Sequence, residues 1–173
     1  MTEKQESILF AALELFASEG YHATSTSKVA RAAGVSEGLI FRHFGSKEGL
    51  VEAILKLGEE KFKVMYADIV LETDPKRLIK KAITVLFEVP ESEYNFWKLQ
   101  FKLKWELGYH GSDKTAPLLL SLTDAFSKLG YEEPEMEARA LLYLHDGLAM
   151  AVLLNQSMDK EKMKNFLLDK YKV

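Results

Sequence analysis

The sequence predicts an all-α protein, and three observations lead to that prediction. Apolar residues recur at spacings of three and four along most of the chain, and no segment shows the sustained alternation and β-branched enrichment of a strand. Each of the four prolines stands where a helix could begin, because the first residue of a helix tolerates a missing N–H. With 173 residues, 47% hydrophobic and 28% charged, the chain has the composition of a globular protein.

The helices can be placed in order along the chain. The first is expected at about 3–18, where apolar residues share one face and Gly20 can end the helix. Two short helices follow within 25–44, and a long helix over 46–68 opens at Ser46, whose hydroxyl can accept from the N–H groups of the first turn. The remaining helices are expected at 75–88, 90–106, 113–129, 134–156 and, after a cap at Asp159, 159–170. The turns between them are expected at 108–111 and 129–131.

Several classes of protein are excluded by composition. The chain has no cysteine, which excludes disulfide scaffolds, thiolate catalysts and cysteine-ligated metal sites. No apolar stretch reaches the length of a membrane span, and acidic residues stand near Met1 where a signal peptide would carry a basic and then an apolar run. The expected compartment is the cytoplasm.

Charge is unevenly distributed along the chain. The net charge is −3, yet residues 24–47 carry +3 and the remainder −6. A confined basic segment on an acidic chain is typical of a local contact with phosphates.

The same segment has the residues that a helix-turn-helix requires. Ala30 is small where two helices approach, Gly34 can adopt positive φ in the turn, and Ser36 stands at the N-cap position of the second helix. Their shared core is expected to comprise Val29, Ala33, Val35, Ile40 and Phe44.

The residues left outside that core predict a surface for double-stranded DNA. Arg42 is the best candidate for a bidentate contact to guanine in the major groove. The other residues expected at base edges, on the exposed face and first turn of the second helix, are Glu37, Gly38, Leu39, Phe41 and His43, and Ser36 at the N-cap is also expected to bind DNA. The residues expected at phosphates, close to helix N-termini, are Ser25, Thr26, Lys28 and Lys47.

A run of residues in this region also resembles a known family. The matching residues are Gly20-Tyr21, Thr24-Ser25, Val29-Ala30, Ala33-Gly34-Val35-Ser36, Gly38, Phe44, Ser46-Lys47-Glu48 and Leu50. They resemble the N-terminal DNA-binding domain of TetR-type bacterial transcriptional regulators, over about residues 2–57. The resemblance implies a homodimer that reads a pseudo-palindromic operator, with a divergent helical C-terminal domain that dimerises and binds a small-molecule inducer.

The resemblance also implies roles for particular residues and two domains. Phe41 and Lys47 stand where the family usually contacts phosphate, although Phe41 lacks the hydroxyl of the tyrosine that is common there. Glu37 could accept from a cytosine amino group or repel the DNA backbone, and the cytosine contact is favoured. We expect a helix-turn-helix DNA-binding domain at 1–48, and a regulatory, ligand-binding and dimerisation domain at 49–173.

Other interpretations of the sequence are less favoured. The helix-turn-helix could be an ordinary helical hairpin with solvated charges. Residues 34–38 match the G-x-S-x-G pattern of a hydrolase nucleophile elbow, but that elbow requires a preceding strand, and the preceding segment is alanine-rich and helical. The four histidines are dispersed and no phosphate-cradling glycine loop occurs, so neither an enzyme, a metal site nor a cofactor is expected.

The C-terminal half carries an aromatic stripe. Tyr94, Trp97, Phe101 and Trp105 share one face of a predicted helix, which could line a cavity for a mainly apolar ligand with one or two polar handles. Other residues that could line it are Phe62, Met65, Tyr66, Phe87, Phe126, Tyr143, His145 and Met150. A stripe of this kind is more often part of a helical core than the wall of a pocket, and a histidine such as His145 is more often a hydrogen-bonded interior residue than a ligand contact.

The last two helices are candidates for a two-fold interface. Small residues in the helix over 134–156 permit the close approach of another helix, and intrachain packing is the open alternative. The small and apolar residues of these two helices are Ala138, Ala140, Leu141, Leu144, Gly147, Leu148, Ala151, Val152, Met163, Phe166, Leu167 and Tyr171.

Taken together, these features of the sequence predict a repressor that is released from DNA by a small ligand. The alternatives are an activator, or a ligand-binding or protein-interaction module without operator control.

Overall fold

The protein is all-α, as the sequence predicts. The computed structural model describes residues 1–106, 115–154 and 157–173, and every regular element within them is helical. The helices are α1 (Glu3–Glu19), α2 (Thr26–Ala32), α3 (Glu37–Phe44), α4 (Lys47–Val70), α5 (Pro75–Thr84), α6 (Tyr94–Glu106), α7 (Ala116–Lys128), α8 (Pro134–Leu153) and α9 (Lys160–Tyr171). Two 3-10 segments, Val85–Glu88 and Glu91–Glu93, separate α5 from α6. Within the described residues, no helix is long and apolar enough to cross a membrane.

Most of the predicted helix starts are confirmed by their caps. The Asp74 carboxylate accepts from the N–H of Arg77 at 2.8 Å, and the Asp159 carboxylate accepts from the N–H of Lys162 at 2.9 Å. The predicted start at Pro90 is wrong, because a 3-10 segment over Glu91–Glu93 follows the proline and the α-helix begins only at Tyr94. The predicted turn at 108–111 and the predicted ends of two helices at 113 and 156 lie outside the described residues.

Two compact units divide the chain. The first contains Met1–Lys61 together with α6, and the second contains Phe62–Glu91 with α7, α8 and α9. In the first unit α1 to α3, the first half of α4 and α6 share one core. Its largest fully buried side chains are Ile8, Phe16, Val29, Ile40, Leu50, Ile54, Leu99 and Leu103.

The second unit has a core of its own, in which Phe126 is fully buried. The Phe126 ring contacts Tyr131 edge-on at a centroid distance of 4.9 Å and Tyr171 at 5.6 Å. Aromatic pairs in such arrangements add stability beyond the burial of their area. Phe126, which the sequence assigned to a ligand cavity, is therefore a core residue of this unit.

This division by packing differs from the predicted boundary after residue 48. Leu50 and Ile54 lie beyond that boundary but are buried in the first core, and so are Leu99 and Leu103 of α6. Helical periodicity reveals which face of a helix is buried but not which partner covers it, so the place of α6 was not predictable. The functional division at residue 48 itself stays a prediction.

Candidate nucleic-acid interface

The corner between α2 and α3 has the predicted steric features. Gly34 has φ +67°, and the N–H of Val35 donates to the carbonyl of Ala30 at 3.0 Å, which closes the turn. Ala30 is 4% exposed and Ile40 is fully buried, so the small and apolar residues lie between the helices as expected. Ala33, Val35 and Phe44 are only partly buried and pack at the edge of the same core.

The serines before the three helices behave differently. The Ser25 hydroxyl accepts from the N–H of Lys28 at 3.2 Å, and the Ser46 hydroxyl accepts from the N–H of Gly49 at 3.1 Å, so both cap their helices. Ser36 occupies the N-cap position of α3, but its side chain makes no cap hydrogen bond. The predicted position is right, whereas a capping bond at Ser36 is not found.

Helix α3 presents part of its predicted surface to solvent. Gly38, Phe41 and Arg42 are exposed, with Phe41 47% exposed. Leu39 is half-buried and packs against the core of the unit, so it is shared between that core and the surface. His43 is also half-buried, and its Nδ1 lies 3.5 Å from the side-chain amide nitrogen of Gln5 in α1. The exposed surface of α3 is therefore centred on Arg42 and Phe41.

Two predicted contact residues have partners inside the unit. The Thr26 hydroxyl donates to Oε1 of Glu37 at 2.5 Å, which joins the first residue of α2 to the first residue of α3. The Lys28 ammonium lies 2.6 Å from Oε1 of Glu19, a carboxylate at the end of α1. Sequence spacing did not reveal either link, because both join residues on different helices. Thr26 and Glu37 are eleven positions apart, and Glu19 and Lys28 are nine positions apart.

Lys47 is held at the N-terminus of α4. Its ammonium lies 4.2 Å from the centroid of the Tyr21 ring, a cation–π arrangement. The Tyr21 hydroxyl donates to Oε1 of Glu48 at 3.1 Å. The main-chain N–H of Glu48, the Ser46 hydroxyl and the Tyr21 hydroxyl lower the pKa of Glu48, and burial raises the pKa of Tyr21. The lysine is thus oriented by a buried ring, which the sequence did not reveal.

The residues predicted to bind a ligand fall into both units. Tyr94, Trp97 and Phe101 lie on α6 in the first unit, and Nε1 of Trp97 donates to Oε2 of Glu93 at 3.2 Å. The side chain of Trp105 lies outside the described part of the chain. The second unit holds Phe62, Tyr66, Met65, Phe87, Phe126, Tyr143, His145 and Met150. Tyr143 is 70% exposed on α8, so the prediction that it lines an interior cavity is wrong for this fold.

Within the second unit, the buried Tyr66 forms a polar pair with the half-buried His145. The Tyr66 hydroxyl lies 2.9 Å from Nε2 of His145, and the Phe62 ring stacks on Tyr66 at 4.1 Å. Burial lowers the pKa of His145 to about 4. The pKa of Tyr66 is raised, mainly by burial and to a smaller extent by the charge of Asp146. A neutral imidazole can accept the tyrosine O–H. The hydrogen bond expected for His145 in the alternative interpretation is therefore present, with the imidazole half-buried.

A recess in the second unit lies apart from the predicted ligand residues. Its lining residues are Val70, Glu72, Thr73, Pro75, Leu78, Ser121, Asp124, Ala125 and Lys128. Glu72 accepts from the N–H of Asp74 and lies 3.1 Å from Lys81, and these contacts lower its pKa to about 2. The recess combines residues from three helices and one turn, so no local sequence signal marks it.

Helix α8 has two faces of different character. Ala138, Leu141, Leu148 and Val152 are buried in the unit. An outward apolar face consists of Met136, Ala140, Tyr143, Leu144 and Gly147. On α9, Phe166 is 61% exposed, whereas Leu167 and Tyr171 are buried. The small and apolar residues predicted for an interface are therefore divided between the core and the surface.

The geometry of residues 25–44 is that of a helix-turn-helix, a motif typical of DNA-binding domains. Residues 8–54 match the model of the bacterial regulatory proteins of the tetR family. The HTH-type transcriptional regulator YuxN of Bacillus subtilis is 33% identical over 103 residues, which cover 59% of this chain and 35% of that protein. The chain spans about a third of the length of the first curated relatives it matches.

Solved structures extend the similarity to nearly the whole chain. A TetR-like transcriptional regulator from Rhodococcus sp. RHA1 has a TM-score of 0.78 and 19% identity, with 95% of this chain and 91% of that chain covered. The regulator FadR from Bacillus subtilis, in complex with stearoyl-CoA, has a TM-score of 0.67 and 21% identity, with 95% of each chain covered. The resemblance to the TetR-type regulators is confirmed, and in the sequence it is carried by residues 8–54, which match the model of that family.

Proposed function

We propose that the protein is a dimeric transcriptional regulator that binds a pseudo-palindromic operator and is released from it by a small ligand. The observation that carries this proposal is that Arg42 and Phe41 are exposed on α3. Gly34 forms the turn before this helix, and Ile40 is buried on the opposite side of it. The match of residues 8–54 to bacterial regulatory proteins supports it.

Arg42 is the residue to which we assign base recognition. A guanidinium offers paired donors that fit O6 and N7 of guanine in the major groove. Lys47, held over the Tyr21 ring at the start of α4, is placed to bind a phosphate, where the helix dipole adds attraction. Phe41 offers an apolar surface, which suits a sugar or a thymine methyl group better than a phosphate.

The outward face of α8, with Phe166 of α9, is the surface we assign to dimerisation. Exposed apolar residues around the small Ala140 and Gly147 suit the close approach of a second copy of the same helix. A Cβ added at Gly147 would meet no atom within 4 Å, so the chain itself leaves this position open. Two-fold symmetry would present one α3 to each half-site of an operator.

The ligand that we propose is mainly apolar. FadR, the structural neighbour from Bacillus subtilis, holds stearoyl-CoA, a ligand with a long apolar chain. In the present chain the Tyr66 and His145 pair supplies polar groups within a mainly apolar unit. Ligand binding would release DNA by favouring one arrangement of the two DNA-binding units over another, and α4 is the helix that belongs to both units of the chain.

Fluorescence anisotropy with palindromic fragments from the gene's own neighbourhood tests this function. The unsubstituted protein should bind one fragment with an affinity that falls steeply with salt. R42A should lose affinity for that fragment, whereas R77A, which removes an exposed arginine of α5, should bind as before. Absence of binding at low salt would contradict the proposal and favour a module without operator control.

A further inference from the structure

The hydrogen bond between Thr26 and Glu37 crosses the helix-turn-helix. Each residue begins its helix, and the 2.5 Å distance between the Thr26 hydroxyl and Oε1 of Glu37 joins α2 to α3. Both residues are half-buried, so the carboxylate is held at the edge of the exposed surface of α3. The bond fixes the direction in which the second carboxylate oxygen, Oε2, can accept.

This bond removes Thr26 from the expected set of phosphate contacts. A threonine hydroxyl has one hydrogen to donate, and here Glu37 receives it. A phosphate would also be repelled by the carboxylate beside it. The pair therefore fits a base edge better than the DNA backbone.

A fixed carboxylate discriminates among bases by their major-groove donors. Cytosine presents its N4 amino group there, whereas guanine and thymine present acceptors that repel a carboxylate. Adenine presents an amino donor, but its N7 acceptor lies beside that donor and disfavours a second carboxylate oxygen.

We propose that Thr26 is a positioning residue which, by orienting Glu37, makes the protein select cytosine at one position of each operator half-site. This inference rests on the proposed function. It assigns to Thr26 a part in sequence reading, where the sequence suggested only a contact with phosphate.

Selection of bound sequences from a randomised half-site library by the whole 173-residue chain tests the inference. The unsubstituted protein should select cytosine at one position. T26V keeps the shape but lacks the hydroxyl, and should reduce that preference by about five-fold or more at this position alone. T26S keeps the hydroxyl and should restore it. E37Q should replace the preference by adenine, because an amide pairs with N6 and N7.

The salt dependence of binding separates positioning from phosphate neutralisation. T26V should leave the slope of log affinity against log salt unchanged, whereas K47Q should lower it by about one for each phosphate that the lysine neutralises. An unaltered base preference in T26V, or a uniform loss of affinity with a lower slope, would overturn the inference while the proposed function stands. Selection of no sequence by the unsubstituted protein would contradict the proposed function, and this inference with it.

Discussion

The side-chain amide of Gln100 packs against Gly58 and joins α6 to α4 within the first unit. Its Nε2 donates to the main-chain oxygen of Ile54 at 3.1 Å, and a Cβ added at Gly58 would lie 2.4 Å from Cδ of Gln100. The absent side chain at residue 58 is thus what permits the hydrogen bond.

G58A should change stability little, because two effects oppose each other. Alanine favours the helix by about 1 kcal/mol, while displacement of the Gln100 amide breaks a hydrogen bond of about 1 kcal/mol. In a Q100A background the space is free, so G58A should stabilise the protein by about 1 kcal/mol. Urea unfolding of the unsubstituted protein, G58A, Q100A and G58A/Q100A measures the coupling free energy between the two residues. A coupling free energy near zero would show that the two residues are independent.

G34A should destabilise the helix-turn-helix through its backbone alone. Gly34 has φ +67°, and a Cβ there would meet no atom within 4 Å, so the cost is the left-handed conformation, about 1 kcal/mol. G38A is the matched control, because that site is equally open but helical, and alanine should stabilise it by about 1 kcal/mol. Equal effects of the two substitutions on the free energy of unfolding would contradict this account.

His145 should make the second unit less stable in mild acid. Its pKa falls from 6.5 to about 4 on folding, so below pH 6.5 the unfolded chain binds a proton that the native chain does not. The free energy of unfolding is therefore highest at a pH well above 6.5, and it decreases as the pH falls from 6.5 towards 4. Between pH 7 and pH 5 the decrease is about 2 kcal/mol.

H145Q should reduce the pH dependence of unfolding by that amount, measured by urea unfolding at the two pH values. H22Q replaces an exposed histidine and serves as the control. If H145Q and H22Q give the same pH dependence as the unsubstituted protein, the partial burial of His145 does not govern acid stability.

Charge on the outward face of α8 should prevent dimerisation. Tyr143 and Leu144 are exposed there, and carboxylates placed at both would be buried together across a two-fold axis, at a high desolvation cost. Sedimentation should show a dimer for the unsubstituted protein and a monomer for Y143E/L144E. L120E, on the exposed surface of α7, should remain a dimer. Dissociation of both variants, or of neither, would place the interface elsewhere.

The helix-turn-helix was predictable because its requirements are local. A small residue at 30, a glycine at 34 and the apolar Ile40 fall within one short segment, and steric rules connect them directly. The capping role of Ser46 followed from the same kind of local rule, whereas the cap at Ser25 was not predicted and the bond expected of Ser36 is missing.

The links that tune this surface were not predictable, because tertiary packing creates them. Thr26 meets Glu37, and Lys47 lies over Tyr21, only after the helices have packed. The aromatic set shows the same limit. Periodicity placed Tyr143 on a helix but could not show that its side chain is exposed, since an outward apolar face and an inward one give the same spacing.

The position of α6 in the first unit has a consequence for how such a protein can be recombined. Leu99 and Leu103 complete a core that otherwise comes from the first 61 residues. A chimaera that joins residues 1–61 to the C-terminal part of another protein would lack these two leucines. The core around its helix-turn-helix would then be incomplete. New specificities would therefore arise more readily by exchange of individual surface side chains on α3 than by exchange of whole domains.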